Sequence, residues 1–149
     1  VSTRRGLAQR AVFVDTGAYY ALADPGDTSA TVAKVISEHL IAERWVIYTS
    51  NFILAEIHAL LLRRRGRAVA LKVLEDLDQS PTTIERVTVA DEARAREIIT
   101  QYDDKNFSLT DATSFAVMER LGITCAFTFD RNFEQYGLTV LTPHYFLQR

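Results

Sequence analysis

The chain predicts an α/β domain built on a central parallel sheet of about five strands flanked by helices, and three observations carry that expectation. Short apolar runs such as Ala11-Val12-Phe13-Val14 and Cys125-Ala126-Phe127-Thr128-Phe129 alternate with amphipathic stretches of helical period. Most passages from one to the other are marked by a capping hydroxyl, a Gly or a Pro. The alternation of strand and helix persists along the chain, as crossover connections between parallel strands require.

Element by element, Ala11 to Asp15 reads as a short buried strand, followed by a brief helix from Thr16 to Leu22 that breaks at Asp24-Pro25-Gly26. Asp27 or Thr28 can cap a longer helix with Val32, Val35, Ile36 and Leu40 on its inner face. Val46 to Thr49 is the second strand. Ser50 or Asn51 then caps a helix running to Arg63-Arg64-Arg65, where Gly66 offers a stop or bend. The next amphipathic helix carries Val69, Val73, Leu74 and Leu77 and ends near Ser80-Pro81. Ile84 to Val87 is the third strand, and Thr88 with Asp91 three positions on forms a capping box for a helix through Ile98 and Ile99. Ser108 and Asp111 repeat that pattern before Phe115, Ala116, Val117 and Leu121, and Gly122 closes the helix. Cys125 to Phe129 is the fourth strand and Thr139 to Leu141 the fifth.

At 149 residues, 48% hydrophobic and 24% charged, the chain has the size and composition of one ordinary globular domain. Residues 1–10 read as a flexible N-terminal arm and 11–149 as the domain. The net charge of −2 excludes an avid, globally basic nucleic-acid binder, so any such contact must come from a local patch. The lone Cys125 excludes an internal disulfide and a cysteine-rich zinc site. No run approaches the roughly 18 apolar residues of a membrane span, and a cytoplasmic protein is the expectation.

Four acids stand out. Asp15 follows one apolar run and Asp130 ends another; Glu56 interrupts the mainly apolar stretch Phe52 to Leu62, where it shares a helical face with Phe52, Ile53, Ala59 and Leu60. Asp111 lies in the first turn of its helix. A buried carboxylate is costly unless it is neutralised, paired or metal-bound. Several of them without matching Lys or Arg in the same segments favour a hard divalent cation. Parallel sheets bind ligands beyond the carboxyl ends of their strands, which brings at least Asp15 and Asp130 to one rim. Each acid also has a plain structural role open to it: Asp111 can cap its helix and Asp130 can turn the chain.

The stretches Val12-Phe13-Val14-Asp15-Thr16, Thr49 through Leu54-Ala55-Glu56, Ser108-Leu109-Thr110-Asp111-Ala112 and Phe127-Thr128-Phe129-Asp130-Arg131-Asn132-Phe133 together resemble a PIN domain of the bacterial VapC toxin type, over nearly the whole span from Ala11 to Leu141. The resemblance implies an endoribonuclease dependent on Mg²⁺ or Mn²⁺, with Asp15, Glu56, Asp111 and Asp130 holding the metal and Thr16 and Thr128 supporting them. It also implies a homodimer and a small antitoxin that inserts a peptide near the acids. The bulky Tyr19-Tyr20 pair and the tail from His144 to Arg149 depart from the family pattern.

Arg131 and Asn132, beside Asp130, are candidates for touching RNA. So are Arg63, Arg64 and Arg65, which could equally form a solvated helix end. Other functions fit less of the chain. A stand-alone RNA-processing nuclease shares the same chemistry. An aspartic-protease-like enzyme would use Asp15-Thr16-Gly17 but needs a nearly all-β fold and leaves the other acids idle. A non-enzymatic binding module would have no use for four intact acids.

Overall fold

In the computed structural model, which describes residues 10–148, five strands form one parallel sheet in the order β3-β2-β1-β4-β5. They are β1 (Ala11–Val14), β2 (Val46–Ser50), β3 (Thr83–Glu85), β4 (Cys125–Phe127) and β5 (Thr139–Val140). β1 is central, because the chain winds one way to β2 and β3 and the other way to β4 and β5. That reversal opens a crevice between β1 and β4, where parallel sheets place their ligands.

The helices are α1 (Thr16–Ala23), α2 (Ala30–Ala42), α3 (Asn51–Arg65), α4 (Arg67–Gln79), α5 (Val89–Gln101), α6 (Leu109–Leu121), α7 (Arg131–Tyr136) and α8 (Pro143–Leu147). Alternate residues of β1 feed opposite layers, as strand geometry demands. Val12 and Val14 pack with Ala18, Ala33, Ile36, Leu40 and Phe146 under α1, α2 and α8. Phe13 packs with Ile53, Ile98, Phe115, Met118 and Phe133 under α3, α5, α6 and α7. A third cluster of Tyr20, Ile57, Leu61 and Ala70 joins α1, α3 and α4.

Both expected capping boxes form: the hydroxyls of Thr88 and Ser108 accept from the backbone N–H of Asp91 and Asp111, and each Asp reaches back to its cap's N–H. Ser50 caps α3, and Gly122 closes α6 in the left-handed conformation. Gly66 ends α3 at φ 89°, a region an L side chain rarely enters, and so permits the sharp turn into α4.

Several expectations are corrected. β4 ends at Phe127 rather than Phe129, because Thr128 leaves the ladder to bond Asp15. β3 occupies Thr83–Glu85 rather than Ile84 to Val87, since Asn51 Oδ1 captures the Val87 N–H at 2.9 Å. β5 stops at Val140. The N-cap of α2 is Ser29, with Asp27 instead accepting from the Ser29 N–H at 3.0 Å. The inner face of α2 is Ala33, Ile36 and Leu40, and Val32 is exposed. The short α7 and α8 were not anticipated; burial of Phe133 and Phe146 secures them. The arm expected over residues 1–10 lies outside the described residues except for Arg10. That residue is tied down: its guanidinium pairs with Glu43, and its carbonyl accepts from the Val46 N–H at 2.7 Å.

Candidate active site

Asp15 is the first residue after β1, and its N–H still extends the ladder by donating to the Phe127 carbonyl at 3.0 Å. Its own carbonyl begins α1, so strand and helix both fix its backbone. Thr49 secures the strand end by donating to the Val14 carbonyl at 2.9 Å. Asp15 is 6% exposed, and its carboxylate makes no ion pair among the described residues. Burial pushes its pKa up to about 7. The Thr128 hydroxyl and the Thr16 N–H pull the other way, and the charges of Asp111 and Asp130 raise it further.

Thr128 couples two of the acids. Its hydroxyl donates to Asp15 Oδ2 at 2.8 Å and accepts from the Asp130 N–H at 3.0 Å. Asp130 is the N-cap of α7, where its Oδ1 accepts from the Asn132 N–H at 2.9 Å. Asp111 is a cap residue and a cluster member together. Its Oδ2 accepts from the Ser108 N–H at 3.2 Å and from Asn132 Nδ2 at 2.9 Å. Desolvation raises the Asp111 pKa, hydrogen bonds from Asn132 and Ser108 oppose that, and the Asp130 charge adds to it.

Asp15, Asp111 and Asp130 are therefore brought into mutual electrostatic reach at the carboxyl edge of β1 and β4, with no Lys or Arg paired to any of them among the described residues. The Thr16 hydroxyl beside them is buried and has no hydrogen-bond partner among the described residues. The apolar setting expected of Glu56 is corrected. The buried stripe of α3 is Ile53, Ile57 and Leu61; Glu56 lies off it and is exposed. It makes no hydrogen bond or ion pair among the described residues and does not figure among the charges acting on Asp15 or Asp111.

Among the described residues no three His, Cys, Asp or Glu side chains close into a ready-made metal cage. The donor chemistry nevertheless fits a hard cation that keeps much of its water, as Mg²⁺ does. Three uncompensated carboxylates and an orphaned buried hydroxyl gather at one edge.

The basic residues separate into two groups. Arg65 reaches Asp24 at 3.4 Å, and Arg64 lies over the Tyr20 ring at 5.4 Å, so both brace α3 against the end of α1 instead of forming a free patch. Arg63 and Arg131 are exposed. The amide of Asn132, expected to face RNA, is engaged by Asp111. Its role had a local signal, a position two residues after a capping Asp, but the partner on α6 did not. Behind this edge, a largely apolar cavity of about 580 Å³ opens between α1, α2 and α4, walled by Val14, Tyr19, Leu40, Ile41, Leu77 and Phe127 among others.

Known proteins share this sequence pattern and this fold. The PIN domain family matches residues 12–138. The 23S rRNA-specific endonuclease VapC20 of Mycobacterium tuberculosis is 35% identical over 132 residues, covering 89% of this chain and 98% of that protein. Ribonuclease VapC26 of the same species is 24% identical over 120 residues, covering 80% of this chain and 87% of that one. The crystal structure of VapC20, described as a sarcin–ricin loop cleaving toxin, superposes with a TM-score of 0.81 over 89% of this chain and 99% of that one. FitAcB from Neisseria gonorrhoeae, at 18% identity, shares the fold with a TM-score of 0.66 over 90% of this chain and 99% of that one. The chain thus belongs to the PIN-domain family, as a VapC-type endoribonuclease.

Proposed function

We propose that this chain hydrolyses RNA phosphodiester bonds with a divalent cation, Mg²⁺ or Mn²⁺, held by Asp15, Asp111 and Asp130, with Glu56 as the fourth acid. The observation that carries the proposal is the gathering of three carboxylates, two of them with raised pKa, at the β1–β4 edge without a compensating cation. When bound, the metal would activate water and shield charge on the phosphate. The residues do the rest. Thr128 and the backbone of β1 hold Asp15, the Ser108 capping box holds Asp111, and the start of α7 holds Asp130. The Thr16 hydroxyl, buried and without a partner among the described residues, would support the site. Glu56, exposed on α3, would serve as the fourth acid and orient water. Arg131 and Arg63, both exposed, would contact backbone phosphates.

The substrate we infer is structured RNA of the kind cut by VapC20, a loop of 23S rRNA, with cytoplasmic ribosomes as the setting. The partner is an antitoxin, and the apolar cavity between α1, α2 and α4 suits an apolar helix or strand from it. Exposed Ile41, Leu62 and Leu71 on α2, α3 and α4 favour a homodimer. The test is cleavage of an rRNA fragment containing the sarcin–ricin loop, with Mg²⁺ or Mn²⁺ and with excess EDTA. Cutting that requires the metal supports the proposal, and undiminished cutting in EDTA refutes it.

A further inference from the structure

Asn132 sits between two acids that ought to repel each other. Its side-chain Nδ2 donates to Asp111 Oδ2 on α6 at 2.9 Å, and its backbone N–H donates to Asp130 Oδ1 at the start of α7 at 2.9 Å. The bond to Asp130 is the N-cap of α7 itself, which the backbone of any residue but Pro could donate; the side-chain bond to Asp111 is the part that belongs to Asn132 alone, ties the capped start of α7 to α6, and is not required by the box that Asp111 already completes with Ser108.

The chemistry of the residue matters as much as its position. A Lys or Arg here would satisfy the same acids but cancel the charge that attracts a cation. An Asp would add charge and offer no side-chain donor. An amide donates without altering the net charge of the cluster. Both donors on Asp111 converge on Oδ2, and the donor on Asp130 falls on Oδ1. The other oxygen of each carboxylate accepts no hydrogen bond among the described residues and would be free to meet a cation.

We propose that Asn132 is a positioning residue that sets the separation and orientation of Asp111 and Asp130, and thereby the affinity of the cluster for a divalent cation. It does not contact RNA. The proposal rests on the metal-dependent reading above. Outer-sphere partners of this kind typically change metal affinity by roughly 10–100-fold when removed.

The test is Mn²⁺ binding to the full chain, followed through the electron paramagnetic resonance signal of free Mn²⁺, for the wild type, Asn132→Ala and Asn132→Ser. The second variant serves if the first fails to fold. Both should keep the wild-type circular dichroism, bind Mn²⁺ at least about tenfold more weakly, and show a reduced kcat that rises toward wild type as Mn²⁺ is increased, with KM for RNA unchanged. Folded variants whose Mn²⁺ affinity stays within about twofold of wild type overturn the proposal. A raised KM for RNA at unchanged Mn²⁺ affinity overturns it in favour of an RNA contact. A wild-type chain that binds no Mn²⁺ overturns the metal reading itself, a failure distinct from the other two.

Discussion

Replacing Asp15 with Asn should stabilise the metal-free protein, by an amount that depends on pH. An ordinary Asp titrates near 3.8, whereas burial pushes Asp15 up to about 7. At roughly 1.4 kcal/mol per pH unit, ionising this group inside the fold costs about 4 kcal/mol. The sign follows from linkage. Between the two pKa values the folded state holds a proton that the unfolded state has released, so stability falls as pH rises from about 4 to about 7 and then levels off. Asn keeps the size of the side chain and can still accept from Thr128, but it never ionises. Below pH 4 the variant and the wild type should match. At pH 8 in EDTA the variant should be more stable by about 2 to 4 kcal/mol, or roughly 6–12 °C in Tm for a domain of this size. The assay is thermal unfolding across pH 4–8 with and without Mg²⁺. Added Mg²⁺ should raise the wild-type Tm at pH 8 and leave the variant unmoved, because the variant lacks the charge that recruits the cation. A wild-type Tm that does not fall between pH 4 and 7, or an Asn variant that is less stable at pH 8, would refute the claim that Asp15 is a desolvated and uncompensated carboxylate.

Other substitutions probe the remaining parts. Thr128→Val leaves Asp15 without its donor and the Asp130 N–H without its acceptor, so it should cost about 1–3 kcal/mol by urea unfolding and depress RNA cleavage. Glu56→Gln, on an exposed stretch of α3, should change stability by no more than about 0.5 kcal/mol while lowering kcat at least tenfold; an unchanged kcat would remove Glu56 from the site. Arg131→Ala should weaken RNA binding and reduce its salt dependence. Arg65→Ala, whose guanidinium faces Asp24, should affect binding little, as filter-binding titrations at two salt concentrations would reveal.

What could be read from the sequence, and what could not, divides by distance along the chain. The capping boxes at Thr88 and Ser108 depend on residues three apart, and both formed as read. The parallel sheet followed from alternation of strand and helix, and the edge for Asp15 from its place at the end of β1. The bond that ends β4 early joins residues 113 apart and has no local signature. Neither has the bond from the Asn132 side chain to Asp111 on α6. The exposure of Glu56 was not legible, because its neighbours Phe52, Ile53, Ala59 and Leu60 suggest an apolar face. In the fold only Ile53 of these lies on the buried stripe, and Ala59 is exposed. Helices α7 and α8 were too short for periodicity to reveal, and each depends on one buried aromatic, Phe133 or Phe146.

The most direct measurement of the central claim is the location of Mn²⁺ by anomalous scattering in crystals soaked with the ion. We expect a peak bounded by the carboxylates of Asp15, Asp111 and Asp130 at the β1–β4 edge, absent from crystals of Asp15→Asn. A peak elsewhere, or no peak at this edge in well-ordered wild-type crystals, would contradict the assignment of these acids as the metal site.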